Sequence, residues 1–225
     1  FAKGTPRHHH LVFKAHPLEN GYGMMVLSRF PIADGAFRQK VVSDVPSFRG
    51  TVKTPSGARF RLYVVHPEPP VPNHDTEGRD AELAQVALEA RDDTLPVIVS
   101  GDLNDVAWSI GTRRFQRISG LLDPRVGRGF FNTYHAQNIL LRWPLDQLFH
   151  APEFRFLGME RWPDIGSDHF PILFRLALMK DPRAEERPDA ASEDELAEVQ
   201  DMIDREASTD RPPIGADWED AEGGR

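Results

Sequence analysis

The 225-residue chain contains no cysteine. Disulfides and thiolate metal sites are therefore excluded, and the redox compartment stays open. It also has no run of about 20 consecutive apolar residues, so nothing within it is built to span a bilayer. No secretory leader is legible at its start. A strong positive charge is missing as well. The net charge is -8, and it is unevenly spread. Residues 1–180 hold 22 Lys and Arg against 19 Asp and Glu, whereas residues 181–225 hold 5 against 16. The body is thus mildly basic and the acidity belongs to the tail. Such a body accepts a phosphate-bearing substrate but lacks the field of a dedicated nucleic-acid binder. There is no internal repeat and no RNA-recognition signature.

Hydrophobic residues make up 40% of the chain, enough for a globular core. In residues 1–180 they fall into short segments between turn signals. "MMVLS" (24–28) reads as a buried strand. "ARFRLYVVH" (58–66) alternates, with Phe60, Leu62 and Val64 on one face, which is the strand period. "PVIVSGD" (96–102), "PLDQLFH" (144–150), "EFRFLGM" (153–159) and "FPILFRLAL" (170–178) read as further strands. In "EGRDAELAQVALEARDD" (77–93), Leu83, Val86, Ala87 and Ala90 recur at helical spacing with charges opposite. A second helix is expected around 108–120. The class is α/β of the α+β type, rich in sheet.

The tail reads differently. "KDPRAEERPDA" (180–190) is a charged, Pro-rich linker. In "SEDELAEVQDMIDREAS" (192–208), Ser192 and Glu195 form a capping box, and Leu196, Val199, Met202 and Ile203 form an apolar stripe. The last residues have a disordered composition. Residues 1–180 are expected to be the folded domain and 181–225 an appendage whose helix packs weakly. Trp218 leaves room for a protein partner of the 192–220 tail.

Four places carry candidate chemistry. "VSGDLND" ends a strand at a Gly-Asp step, so Asp102 and Asn104 project from the sheet edge, where ligands bind in α/β proteins. "VVHPEPP" puts His66 at a strand end. "WPLDQLF" sets Asp146 among apolar neighbours, where a carboxylate needs a partner. "DIGSDHFPILF" (164–174) delivers Asp168 and His169 at the mouth of the last strand. An Asp that holds an imidazole fixes its tautomer and favours the imidazolium. Taken alone, each of these is also an ordinary turn or a structural residue. The "RHHH" of residues 7–10 reads as exposed loop, because consecutive side chains diverge and cannot all face one ion.

In order, these motifs resemble the endonuclease/exonuclease/phosphatase superfamily with its DNase-I-like fold. The resemblance covers about residues 10–178 and includes "GYGMMVLSRFPI" (21–32), "NTYH" with Thr133, and "SDHFPI". It implies a two-sheet β-sandwich with flanking helices, mostly antiparallel strands, and a site at one rim. It implies hydrolysis of a phosphoester with Mg²⁺ or Mn²⁺. Carried over, Asp102 orients or deprotonates water and Asn104 holds a phosphate oxygen. Asp146 orients His169, and His169 stabilises charge. Asp168, with Asp102, lies in or beside the metal shell, and His66 is the general acid. The substrate would be a nucleic acid, a phospholipid headgroup or a small phosphoester.

The family's first two strands normally supply an Asn and then a metal-binding Glu. Neither has a match, since Glu19 and Asn20 come too late, and the chain starts at Phe1. The expectation is an N-terminally truncated domain, nearly inactive by itself unless Glu19 or Glu68 replaces the Glu. Gln147 stands where some members have His. "HPEPP" and "DIGSDH" look most like bacterial members with membrane segments ahead of the domain, which would place an anchor upstream of residue 1. A reading from another class is an inactive family-fold scaffold that recruits a partner through its acidic tail.

Overall fold

The structure, a computed structural model, describes residues 22–180 and 188–215. The 58–66 alternation forms a strand, β3 (Arg59–Val65), and the "TPSG" turn joins it to β2 (Ser47–Lys53). The turn closes with Thr54 N–H donating to Ala58 O at 2.8 Å and Gly57 N–H to Thr54 O at 2.9 Å. Before them runs β1 (Ile32–Arg38), and β4 (Val97–Asp102) and β5 (Asp146–His150) complete a five-stranded sheet in the order β1-β2-β3-β4-β5. The pairs are antiparallel except β3 and β4, which are parallel. A parallel pair needs a crossover, and it is supplied by α1 (Glu77–Asp92). β6 (Phe154–Arg161) and β7 (Ile172–Leu178) form a separate antiparallel pair. Phe154, Leu176 and Leu178 join the same apolar cluster as Phe149 and Phe60, and the rings of Phe60 and Phe154 meet edge-on at 5.4 Å.

Strand β2 and β1 have no counterpart among the sequence expectations, and "MMVLS" is corrected. Residues 22–26 show the strand period, with Tyr22, Met24 and Val26 buried and Met25 exposed, but among the described residues the segment belongs to neither sheet and only Ser28 makes a bridge. Its inward residues instead cover the outer face of the five-stranded sheet: Met24 and Val26 pack with Phe48, Leu62 and Val64. Both faces of β3 are thus covered, since Tyr63 and Val65 point into the main core.

Helix α2 (Ile110–Ser119) is capped as its residues demand. Ser109 Oγ accepts from Thr112 N–H at 2.9 Å, and Gly120 closes the C-terminus with φ 67°. In α3 (Glu193–Ser208), Ser192 Oγ accepts from Glu195 N–H at 3.1 Å. The expectation that α3 packs weakly fails. Val199, Met202 and Ile203 are buried in the main core, and α3 lies against α1. Glu195 pairs with Arg117 and, at 3.5 Å, with Arg114 of α2. Helix α1 packs against both α2 and α3, and two of its charged residues are buried as well: Arg79 against the Asn104–Asp105 loop and Glu82 against the backbone of Val41 and Val42. Among the described residues no helix is long and apolar enough to cross a membrane.

Candidate active site

Strand direction assembles the site. β3 and β4 are parallel, so their C-terminal ends share one edge of the sheet. β5 runs against β4, so its first residue starts at that same edge. Val65 is in register with Gly101, and Asp102 with Asp146. His66, immediately after β3, therefore sits beside Asp102. The approach is close: a Cβ on Gly101, whose φ is 154°, would lie 1.9 Å from Val65 O. Only glycine fits there.

The following loop is set by its own side chains. Asp102 Oδ1 accepts from Asn104 N–H at 2.8 Å, a local turn, and Asn104 takes a left-handed φ of 49°. Asn104 Nδ2 donates to Pro67 O at 2.9 Å, tying the loop to the residue after His66. Arg79 of α1 holds the same loop from behind, donating to Asn104 O at 3.0 Å.

His169 arrives from the turn before β7. Asp164 Oδ1 accepts from Gly166 N–H at 2.7 Å, and Ser167 Oγ accepts from His169 N–H at 3.2 Å. The imidazole then reaches the sheet edge. Its Nδ1 lies 2.7 Å from Asp146 Oδ2 and its Nε2 3.5 Å from Asp102 Oδ2. His66 Nε2 stands 3.9 Å from the same Asp102 oxygen. Asp102 is thus flanked by two imidazoles, and Asp146 holds one of them. Asp146 is fixed in turn, its N–H donating to Thr133 Oγ1 at 3.2 Å. Asp168 is exposed at the rim. Its backbone oxygen accepts from Ala136 N–H at 2.7 Å, and its carboxylate accepts from Ser167 Oγ at 3.3 Å.

The electrostatics follow from this crowding. Burial raises the Asp102 pKa above its ordinary value, and the charge of Asp146 raises it further. The two imidazoles pull it down without cancelling this. For His169 burial disfavours the imidazolium, but the hydrogen bond and charge of Asp146, with Asp102 and Asp168, outweigh burial and hold its pKa above the usual value.

The family profile of the Endonuclease/Exonuclease/phosphatase family matches residues 2–169. The chain belongs to this family. Its fold is shared with an endonuclease/exonuclease/phosphatase from Beutenbergia cavernae, at 19% identity, over 77% of this chain and 52% of that one, with a TM-score of 0.61. D. rerio TDP2 in complex with a single-strand DNA product matches at 16% identity over 67% of this chain and 71% of that one, TM-score 0.55. The mannosyl-6-phosphatase of Bacteroides thetaiotaomicron matches at 19% over 69% and 71%, TM-score 0.50. No curated protein matches the chain in sequence. This is a family of phosphoester hydrolases, and the mixed α/β arrangement in two sheets is its fold.

Several residues at the site have no role in the sequence reading. Tyr134 leans on the His169 ring at 5.0 Å, and Tyr22 on the His66 ring at 5.7 Å. Gln147 is buried, receiving Arg125 Nη2 at 2.6 Å and donating to Asp105 O at 2.5 Å, so it fastens the loop after Asn104 to β5. A polar residue inside the apolar "PLDQLFH" was the available signal. Glu68 is buried and held by Arg211, at 2.6 and 2.8 Å, rather than facing Asp102. It is therefore no substitute for the family's metal-binding Glu. Glu19, Asn20, "RHHH" and Trp218 lie outside the described residues.

The donors available to a cation are the carboxylates of Asp102 and Asp168 and the carboxamide oxygen of Asn104. Asp102 already spends one oxygen on Asn104 N–H and turns the other to the imidazoles. Among the described residues no group of three or more His, Asp or Glu side chains is arranged to hold a metal. By themselves these donors do not fit a divalent ion.

Proposed function

We propose that the chain hydrolyses phosphodiesters at the Asp102, His169, Asp146 and His66 cluster, in the presence of Mg²⁺ or Mn²⁺. One observation carries this reading: a half-buried carboxylate, Asp102, lies against two imidazoles, and a second carboxylate orients one of them at 2.7 Å. Paired groups whose environments differ are how a site divides acid from base work.

The chain's own residues account for the proton and charge steps. Water attacks phosphorus opposite the leaving oxygen, and Asp102, its basicity raised by burial, takes the water proton. The bond from phosphorus to the leaving oxygen breaks, and His66 supplies the proton that this oxygen needs. His169, whose imidazolium form Asp146 favours, stabilises the charge that grows on the phosphoryl oxygens. Asn104, braced by Pro67 and Arg79, places its carboxamide beside the same oxygens. Asp168 and Asp102 are the carboxylates that would face a cation, which would supply charge stabilisation at the phosphoryl oxygens. Mg²⁺ gives up its waters reluctantly, so these two carboxylates would hold it weakly and the assay needs it in excess.

The mildly basic body and the absence of a basic stripe favour a small or headgroup-sized phosphodiester over a long nucleic acid. The scaffold reading is less favoured, because the apolar stripe of α3 is spent on the chain's own core. The test is turnover of bis-p-nitrophenyl phosphate with excess Mg²⁺ or Mn²⁺. Activity should need the cation and should fall about a hundredfold or more in His169→Ala. Undiminished activity in His169→Ala would remove the assignment.

A further inference from the structure

The loop that carries His66 is fastened by a segment far away in sequence. Glu68 is 1% exposed, a carboxylate that cannot be left unpaired. Its partners come from the stretch after α3. Arg211 donates from both Nη atoms, to Oε1 at 2.6 Å and to Oε2 at 2.8 Å, and Ile214 N–H donates to Oε1 at 2.7 Å. Arg211 is steadied by Glu206 of α3, 3.0 Å away. The first turn of α1 makes room for the pair: a Cβ on Gly78 would lie 2.2 Å from Glu68 Oε2 and 2.5 Å from Arg211 Nη2. The fork geometry of a guanidinium against a carboxylate fixes direction as well as distance.

Two routes run from this clasp to the site. Ile214 O accepts the hydroxyl of Tyr22 at 2.5 Å, and the Tyr22 ring lies against the His66 ring. On the other route Glu68 anchors the backbone of residues 66–68, and Pro67 O within it accepts from Asn104 Nδ2. One ion pair therefore bears on both the His66 imidazole and the Asn104 carboxamide, while making no contact with Asp102.

We propose that Arg211 and Glu68 are positioning residues for His66, and that residues 211–214 act as a strap that completes the catalytic edge of the sheet. The part concerning catalysis rests on His66 as proton donor; the part concerning position does not. A rigid support is what a general acid needs, since small displacements of a reacting group are costly in rate. It also explains why the acidic C-terminal region turns back along the body: its helix carries Arg211 to a buried carboxylate.

The test uses the full chain and two readouts, the imidazole resonances of His66 by NMR and turnover of bis-p-nitrophenyl phosphate. In Arg211→Met, the His66 resonances should shift while those of the distant His150 stay in place. Turnover should fall on the order of tenfold to a hundredfold in kcat with KM changed little. Arg211→Lys should recover part of the loss, as it keeps the charge but not the fork. If Arg211→Met does not fold, Tyr22→Phe removes the hydroxyl that Ile214 O accepts, keeps the ring against His66, and should still move the His66 resonances. A folded Arg211→Met with His66 resonances and kcat unchanged overturns the proposal, as does a silent Tyr22→Phe where Arg211→Met fails to fold. Absence of turnover in the parent chain would sink the hydrolase reading, and the NMR arm would still decide the strap.

Discussion

At the scale of single residues, the same side chain often serves both a turn and the site. In "DIGSDH", Asp164, Gly166 and Ser167 build the turn, and His169 leaves it to meet Asp146. The turn is what aims the imidazole. Elsewhere a residue is placed against its chemistry. Glu82, on α1, is buried and accepts from the N–H groups of Val41 and Val42 at 3.1 and 2.9 Å. Burial pushes its pKa up from 4.5 to about 7, against the pull of those two donors. A carboxyl raised in the folded state stabilises fully below its unfolded pKa, and that stability is lost as pH rises through the folded value. The rise from 4.5 to about 7 is worth about 3 kcal/mol. Glu82→Gln keeps an acceptor oxygen without the charge. Its stability relative to the parent should therefore grow by up to about 3 kcal/mol between pH 4.5 and pH 8, read from urea unfolding at each pH. A parallel pH dependence in both proteins would show that Glu82 does not carry this cost.

At the scale of elements, the functional edge depends on how closely β3 and β4 approach. The Cβ that alanine would bring to Gly101 would be driven into Val65 O, at a φ that L residues rarely adopt. Backbone strain and overpacking together should cost Gly101→Ala about 2–6 kcal/mol. The site should suffer more than the remainder, because His66 follows Val65 and Asp102 follows Gly101. The measurement is thermal unfolding beside the chemical shifts of His66 and His169. An Ala variant of parental stability with both imidazoles undisturbed would mean that the two strands can part without consequence. The "SGD" step thus reads as a turn in sequence but is a contact between strands in the fold.

At the scale of the whole molecule, α3 and the residues 209–214 that follow it belong to the architecture. Ending the chain at Lys180 would strip Val199, Met202 and Ile203 from the core and leave Glu68 buried without Arg211. Loss of a buried ion-pair partner alone costs about 3–5 kcal/mol. The truncated chain should melt far below the parent, or fail to fold, and should bind an apolar dye such as ANS. Melting unchanged from the parent would show that residues 1–180 stand alone. Composition could not foretell this. Charge density and a Pro-rich entry describe a segment's average, whereas docking is decided by four apolar residues on one helix face and one arginine.

Several things were determined by the sequence by itself. The β3 alternation, the caps Ser109 and Ser192, and the order of His66, Gly101-Asp102, Asp146 and His169 are local patterns. Local patterns follow from backbone sterics and side-chain period, which need no knowledge of neighbours. The family and its two-sheet fold came instead from the resemblance that the ordered motifs bear to known members. The tertiary structure alone decided what lies across the chain. It set the parallel pairing that puts His66 beside Asp102, and the second layer of Met24 and Val26 over β2 and β3. It buried Glu82 against the backbone of Val41 and Val42, and it carried Arg211 to Glu68 across 143 positions. No window along the chain holds both partners of such a contact. Burial and long-range pairing are properties of packing, and packing exists only once the chain has closed on itself.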